Sequence, residues 1–224
     1  MRKILLVAAS VLAGALACAR PAAGQAAPLK APEVVDCVAA VVNGRAITLV
    51  DVRIAEGFGL VEADPAATIA ARQRTVLERL IDRKVLIDFT RERAPADPDK
   101  VARELGRLLS RLGRDETVAR LAAFGLSGED LRPYVEEAVL SESIVSNRFS
   151  HGPAVSLREI EAYYAGTFVP GQAKLGRTAP PLIDVLDALE AELKAAKTES
   201  QIALWIQNLR KQADIEIRPG CLGR

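Results

Sequence analysis

The chain has 224 residues, and its 30 Lys and Arg residues against 29 Asp and Glu residues give a formal net charge of +1. Nucleic-acid binding needs a basic surplus that this balance does not provide, so we expect no nucleic-acid partner. Only 4% of the residues are aromatic, so the core must be built from Leu, Val, Ile and Ala, a composition that favours helices.

Residues 1–26 have the pattern of a signal peptide. Arg2 and Lys3 precede an uncharged apolar run over residues 4–17. That run is shorter than the roughly 20 residues of a membrane-spanning helix. We therefore expect export with cleavage near Gly24 to Ala26, and an uncleaved anchor is the alternative. No later apolar run is long enough to span a membrane, so the mature chain is predicted to have no transmembrane segment.

Cys18 gives the same segment an alternative interpretation. The sequence Ala15-Leu16-Ala17-Cys18 resembles a lipobox, although Ala15 stands where that pattern has Leu. A lipid on Cys18 would tether the mature protein to a membrane by its N-terminus. Residues 27–33 are rich in Ala and Pro and are predicted to be a disordered leader.

A β-hairpin and a series of helices follow. The β-branched residues 34–42 end at Asn43-Gly44, the strongest short hairpin signal, and residues 45–48 would form the return strand. Apolar spacing and cap signals then predict helices over 49–58, 64–93, 101–112, 115–125 and about 131–149. In the second of them a buried stripe is predicted from Ile69 to Phe89. In the fourth, Val118, Leu121 and Phe124 are predicted to face inward.

The last part of the chain is predicted to be a linker, one long helix and a strand. Ser156 and Glu159 have capping-box spacing and precede a short helix. Prolines and glycines predict a linker over residues 167–180. A helix from 181 to about 211 carries an apolar stripe that includes Trp205, which we interpret as core packing rather than a client contact. Residues 214–218 alternate with the period of a strand.

Cys37 and Cys221 lie near opposite ends of the mature chain. Disulfides persist in exported proteins, and the two sulfurs could meet if the first and last strands pair. Two unpaired thiols are the alternative. Two distant cysteines and one histidine do not make a metal-ligand set, so we expect no metal and no cofactor.

Both ends of the chain resemble SurA and its relatives, a family of exported chaperones and parvulin-type isomerases. At the N-terminal end the similarity covers 34–52 and the helix residues 72–88, with Leu77-Glu78-Arg79-Leu80-Ile81-Asp82. At the C-terminal end it covers 180–185 and 204–217. The resemblance implies a mainly α, SurA N-terminal-like chaperone domain whose hairpin and C-terminal strand form a small antiparallel sheet. It also implies that Cys37 and Cys221 lie near each other.

The chain departs from that family in its middle. Members usually carry one or two parvulin domains of roughly a hundred residues before the closing helix, and only residues 165–179 lie there. Parvulin sites use paired histidines, whereas His151 is the one histidine here and is interpreted as a surface residue. We therefore expect no catalytic residues. The implied organisation is a hairpin and helical core over 34–166, the linker over 167–180, and a closing helix and strand over 181–218.

The resemblance implies an ATP-independent periplasmic chaperone for unfolded exported or outer-membrane proteins. Its clients alternate polar and aromatic residues, and the helices over 66–149 are the expected cradle. Tyr164 or Phe168 could contribute to the binding surface. The main alternative is an envelope adaptor, which a lipid on Cys18 would favour, and a prolyl isomerase is the third. A homodimer formed by swapping the long last helix is a further expectation.

Overall fold

The computed structural model describes residues 36–90 and 95–223. The protein is mainly α with one small three-stranded antiparallel sheet, which confirms the predicted fold class. The predicted signal peptide, Cys18 and leader lie outside the described residues. The elements are β1 (Val38–Val42), β2 (Arg45–Thr48), α1 (Leu49–Gly57), α2 (Ile69–Phe89), α3 (Pro98–Leu112), α4 (Arg114–Phe124), α5 (Arg132–Arg148), α6 (Leu157–Tyr163), α7 (Val169–Lys174), α8 (Leu182–Gln212) and β3 (Ile215–Ile217).

The sheet is centred on the first strand of the hairpin. Strand order is β2-β1-β3, and β1 pairs antiparallel with both neighbours. Val42 lies opposite Arg45 on one side and Ile215 on the other. The turn between β1 and β2 has φ of 48° at Asn43 and 79° at Gly44. Both values belong to the left-handed region that a type I′ turn requires, which is why this dipeptide suits the position.

Two groups of buried side chains hold the helices together. In the first, the sheet packs on α2 and on the C-terminal part of α8, with Val42, Leu77 and Leu209 among its members. In the second, α1 packs on α3 and α5, and Phe58 and Leu131 are completely buried. Helix α1 contributes to both groups, since Val52 belongs to the first and Ile54 to the second. It therefore joins the sheet to the α3–α5 layer.

Several predicted boundaries and orientations were wrong. Helix α2 begins at Ile69 rather than Asp64, because Thr68 caps it and Asp64 instead accepts from the Ala66 amide in a turn. The stripe on α2 is buried only in its middle, since Ile69 and Phe89 at its two ends are exposed. On α4, Val118 is 61% exposed instead of inward-facing, whereas Leu121 and Phe124 pack against the second core.

The predicted linker over residues 167–180 is helical in its first part. A π-helical turn (Tyr164–Phe168) continues α6, and α7 follows it without a break. Pro170 is the second residue of α7. The helical path ends at Gly176, whose φ is 69°.

Candidate functional site

Cys37 and Cys221 are joined in a disulfide, with their Cα atoms 6.1 Å apart. Cys37 directly precedes β1, and Cys221 ends a 3-10 turn (Pro219–Cys221) after β3. The Arg218 amide donates to the Ala39 carbonyl at 2.8 Å, which continues the pairing of β1 with β3 towards the cysteines. The bridge therefore joins the start of β1 to the chain after β3, at one end of their pairing. It closes a separation of 184 residues.

Helix α8 packs against two separate parts of the molecule. Its 31 residues extend about 46 Å at 1.5 Å per residue. The C-terminal part packs on α2, where Arg210 donates to Glu78 at 2.5 Å and to Asp82 at 2.8 Å. Burial tends to lower the pKa of Arg210, but the two carboxylates outweigh it and raise the pKa. Burial raises the pKa of Asp82 despite the neighbouring arginine.

The N-terminal part of α8 packs on α6, which continues into the π-helical turn and α7. We call α6, the π-helical turn, α7 and residues 182–197 the arm. Ile160 and Leu189 are its buried apolar residues. Polar contacts lie around them. Tyr163 Oη donates to Glu192 at 2.6 Å, and Lys197 pairs with Glu159 at 2.6 Å.

The two predicted client-contact residues both lie in the arm. The rings of Tyr164 and Phe168 stack with centroids 5.8 Å apart and planes 23° from parallel. Tyr164 Oη donates to the Pro180 carbonyl at 2.8 Å, which fastens the chain before α8 to the π-helical turn. Both side chains are half-buried. Tyr164 therefore has a structural role in closing the arm, and Phe168 packs beside it.

Exposed aliphatic side chains lie along the arm and its continuation in α8. Ile183 is 76% exposed, and Leu157, Leu175 and Leu204 are also exposed. Ile183 and Leu204 belong to α8, Leu157 begins α6, and Leu175 follows α7. Scattered apolar residues are common on protein surfaces, so single ones carry little information. Leu157, Leu175 and Ile183 lie in the arm or directly beside its helices, whereas Leu204 lies beyond it on α8.

A cluster of aromatic rings lies where the ends of α2 and α5 meet α8. We call Phe89, Arg148, Phe149 and Trp205 the aromatic patch. Trp205 is central: its ring is 5.9 Å from that of Phe89 and 5.7 Å from that of Phe149, both in edge contacts. The Arg148 guanidinium lies 4.6 Å from the Trp205 ring centroid. Such edge and cation–π contacts are favourable geometries.

The aromatic patch remains open to solvent. Phe89 is 48% exposed, and Trp205 is half-buried although it also contacts the first core. An open hollow of about 750 Å³ begins at Phe89 and continues between the hairpin turn and the end of α8. Val85 and Leu209 contribute apolar wall to it, and Asn43 and Gln212 contribute amides. This surface can contact an extended chain that carries both ring and polar side chains.

Sequence reasoning assigned Phe89 and Trp205 to buried stripes and therefore missed the patch. The available signal was the crowding of rings at helix ends, since Phe89 ends α2 and Phe149 follows the last residue of α5. His151 lies close by in sequence, is exposed, and has Nδ1 3.0 Å from Ser150 Oγ.

The part of the chain that the structure describes holds no group of three His, Cys, Asp or Glu side chains placed to bind a metal ion. Among the helices over 36–90 and 95–223, none has the length and apolar character needed to cross a membrane. Comparison of the sequence with protein-family models and with curated proteins gave no match.

Proposed function

We propose that this protein is an ATP-independent holdase, which binds unfolded segments of exported or outer-membrane proteins and releases them without chemistry. The observation that carries the proposal is the aromatic patch, with half-exposed Phe89 and partly buried Trp205 beside an open hollow. Exposure of such rings to water does not stabilise the fold. It does leave the rings accessible to apolar segments of a client protein.

The patch suits the proposed clients. Unfolded strands of outer-membrane barrels alternate apolar and polar side chains. Rings on the patch offer edge and face contacts to aromatic client residues, and Arg148 keeps a charge beside them. Exposed aliphatic residues of the arm, such as Ile183, would offer separate apolar contacts outside the patch. Many weak contacts of this type give binding that is tolerant of sequence.

The disulfide supports an extracytoplasmic location for this activity. A bond between Cys37 and Cys221 persists in an oxidising compartment such as the periplasm. ATP is not expected there, and the proposed cycle does not use it. Client release then follows from the weakness of each contact.

The test is suppression of aggregation. The protein from about Ala26 onward would be mixed with an outer-membrane barrel protein diluted from urea, and light scattering would be followed without ATP. We expect suppression at near-stoichiometric ratios. Absence of suppression at every ratio, with the disulfide intact, would contradict the proposal and favour the dedicated adaptor.

Two matched variants locate the binding surface. Phe89→Ser removes an exposed ring from the patch, whereas Val118→Ser removes an exposed apolar side chain from α4. Loss of one aromatic contact is expected to raise the amount needed for half-suppression roughly two- to tenfold. The α4 variant should act like the unchanged protein, and urea unfolding would verify that both variants are folded. Equal behaviour of the two variants would show that the patch does not bind clients.

A further inference from the structure

Three arginines converge on the chain where α1 ends. Arg120 from α4 donates to the Gly57 carbonyl, Arg111 from α3 donates to Gly59 at 3.0 Å, and Arg83 from α2 donates to Leu60 at 2.5 Å. The last carbonyls of a helix carry partial negative charge, which guanidinium groups neutralise. Gly59 permits this approach, because a Cβ there would lie 3.2 Å from Arg111 Nη2.

Two of these arginines also line a pocket, which we call the arginine pocket. It has a volume of about 530 Å³ and lies between the chain after α1, α3 and α5. Its charged lining consists of Arg83, Arg107, Arg111, Glu104 and Glu142. Aliphatic side chains form the rest of the wall, with Leu60, Leu108 and Val139 among them. A volume of this size is in the range of ligand pockets.

The charges of the arginine pocket are not balanced within the described residues. Glu104 is paired with Arg107 at 2.6 Å, and Glu142 is paired with Lys100 at 3.0 Å. Across residues 36–90 and 95–223, no carboxylate lies within 4.0 Å of the Arg83 or Arg111 guanidinium. Both arginines bond to backbone carbonyls, so most of their N–H donors have no hydrogen-bond partner among the described residues.

Arg83 is the more enclosed of these two arginines. Its side chain is half-buried, and burial lowers its pKa, although Glu137 attracts it from α5. A guanidinium stays charged at physiological pH in any case. Partial removal of its other N–H donors from water costs free energy, and hydrogen bonds to an anion in the pocket would offset that cost.

We propose that the arginine pocket binds the C-terminal residue of an unfolded polypeptide, with the terminal carboxylate on Arg83 and Arg111. Guanidinium groups bind carboxylates through paired N–H donors. Glu104 and Glu142 of the lining are already paired with Arg107 and Lys100, so Arg83 and Arg111 are the groups that would hold a carboxylate. The aliphatic wall would hold the terminal side chain. The choice of a polypeptide as carrier rests on the proposed holdase function.

The direct test compares three fluorescein-labelled hexapeptides by fluorescence anisotropy. The first ends in Ala-Val with a free carboxylate, the second has the same sequence with an amide end, and the third has an amide end and one internal Asp. We expect the first to bind at least tenfold more tightly than the second. Equal binding of the amide would overturn the proposal. Equal binding of the Asp peptide would overturn the assignment to the chain terminus.

Variants connect the binding to the arginine pocket. Arg111→Gln removes one charged donor group and should weaken binding of the free-carboxylate peptide about tenfold. Arg74→Gln is the matched control, because Arg74 is exposed on α2 and does not line the pocket. Glu142→Gln removes a negative charge from the lining and should tighten binding. That gain would not arise from a purely structural role of these residues.

Failure of this inference and failure of the holdase proposal are distinguishable. Phe89→Ser should bind the peptide normally while more of it is needed for half-suppression of aggregation, since Phe89 belongs to the patch and not to the pocket. If Arg111→Gln and Glu142→Gln both bind the free-carboxylate peptide like the unchanged protein, the inference is wrong, whatever the aggregation assay shows.

Discussion

Asn43 shows how much a single residue contributes in this fold. Its φ of 48° closes the hairpin turn. Its side-chain oxygen accepts from the Asp214 amide at 2.9 Å, and its side-chain nitrogen donates to Asp88 at 3.0 Å. Its own amide donates to the Asp214 carbonyl at 2.8 Å. The hairpin turn, the chain entering β3 and the end of α2 therefore meet at one amide side chain.

Two substitutions at Asn43 separate conformation from hydrogen bonding. Asn43→Gly keeps the left-handed turn and loses both side-chain bonds, so it should lower the free energy of unfolding by about 1–2 kcal/mol. Asn43→Ala adds backbone strain and should cost about 1 kcal/mol more. Urea unfolding followed by circular dichroism measures both. Asn208→Ala, at an exposed position on α8, should change stability little, and an unchanged Asn43→Gly variant would refute the role of the amide.

At the scale of elements, capping boxes set where two helices start. Thr48 and Asp51 bond reciprocally before α1, and Ser156 and Glu159 do so before α6. Glu159 accepts from the Ser156 amide at 2.9 Å and also pairs with Lys197 of α8. The bond from Lys197, followed by those from Ser156, lowers the pKa of Glu159 to about 2. One carboxylate thus starts α6 and holds it on α8.

The lowered pKa predicts a pH dependence for the arm. The folded pKa lies below the ordinary value of 4.5, so ionised Glu159 stabilises the fold above that value. This stabilisation is lost as the pH falls towards about 2. Glu159→Gln should therefore unfold at lower urea than the unchanged protein at pH 7, and the difference should vanish near pH 2. Glu161→Gln, exposed on the same helix, is the control; a pH-independent difference at residue 159 would contradict the assignment.

Local signals in the sequence predicted these elements well. The hairpin turn and the capping box of Ser156 with Glu159 depend on residues within a few positions, and the structure confirms both. Exposure at the ends of α2 and on α4 was not predictable in the same way. Phe89 and Val118 have helical spacing that suits burial, but the neighbouring elements do not cover them. The spacing of apolar residues along a helix does not show which of them neighbouring elements will bury.

The candidate surfaces were missed for a related reason. The aromatic patch combines residues from α2, α8 and the end of α5, and the arginine pocket combines α2, α3 and α5. Each depends on how distant helices pack, which no spacing rule encodes. The disulfide between Cys37 and Cys221, in contrast, was expected from the predicted export and from the resemblance, which implies that the first and last strands lie side by side.

Across the whole molecule, the disulfide determines how much of the chain is constrained when it unfolds. Cross-linking residues 184 positions apart restricts nearly all of the described chain in its unfolded state. The loop-entropy model gives on the order of 5 kcal/mol for such a loop, and measured bridges are often weaker. In the folded protein the bridge lies beside the sheet, where Cys221 packs against the first core.

Removal of the bridge provides the test. The double variant Cys37→Ala with Cys221→Ala should lower the free energy of unfolding by roughly 2–5 kcal/mol. Reduction of the unchanged protein should give the same loss and should have no effect on the double variant. Urea titration followed by the fluorescence of Trp205, the one tryptophan, measures both. Equal stability with and without reductant would show that the bridge contributes nothing.

The position of β1 between β2 and β3 has a consequence for the order of assembly. One neighbour follows β1 after a two-residue turn, whereas Ile215 of the other lies opposite Val42 from the far end of the chain. Chains are synthesised from the N-terminus, so one edge of β1 stays unpaired until β3 has emerged. Such long-range closure is slow, and an unpaired edge recruits other strands. A newly made copy of this protein therefore exposes an unpaired strand edge before it is folded. On our proposal, the folded protein protects other proteins from aggregation in that state.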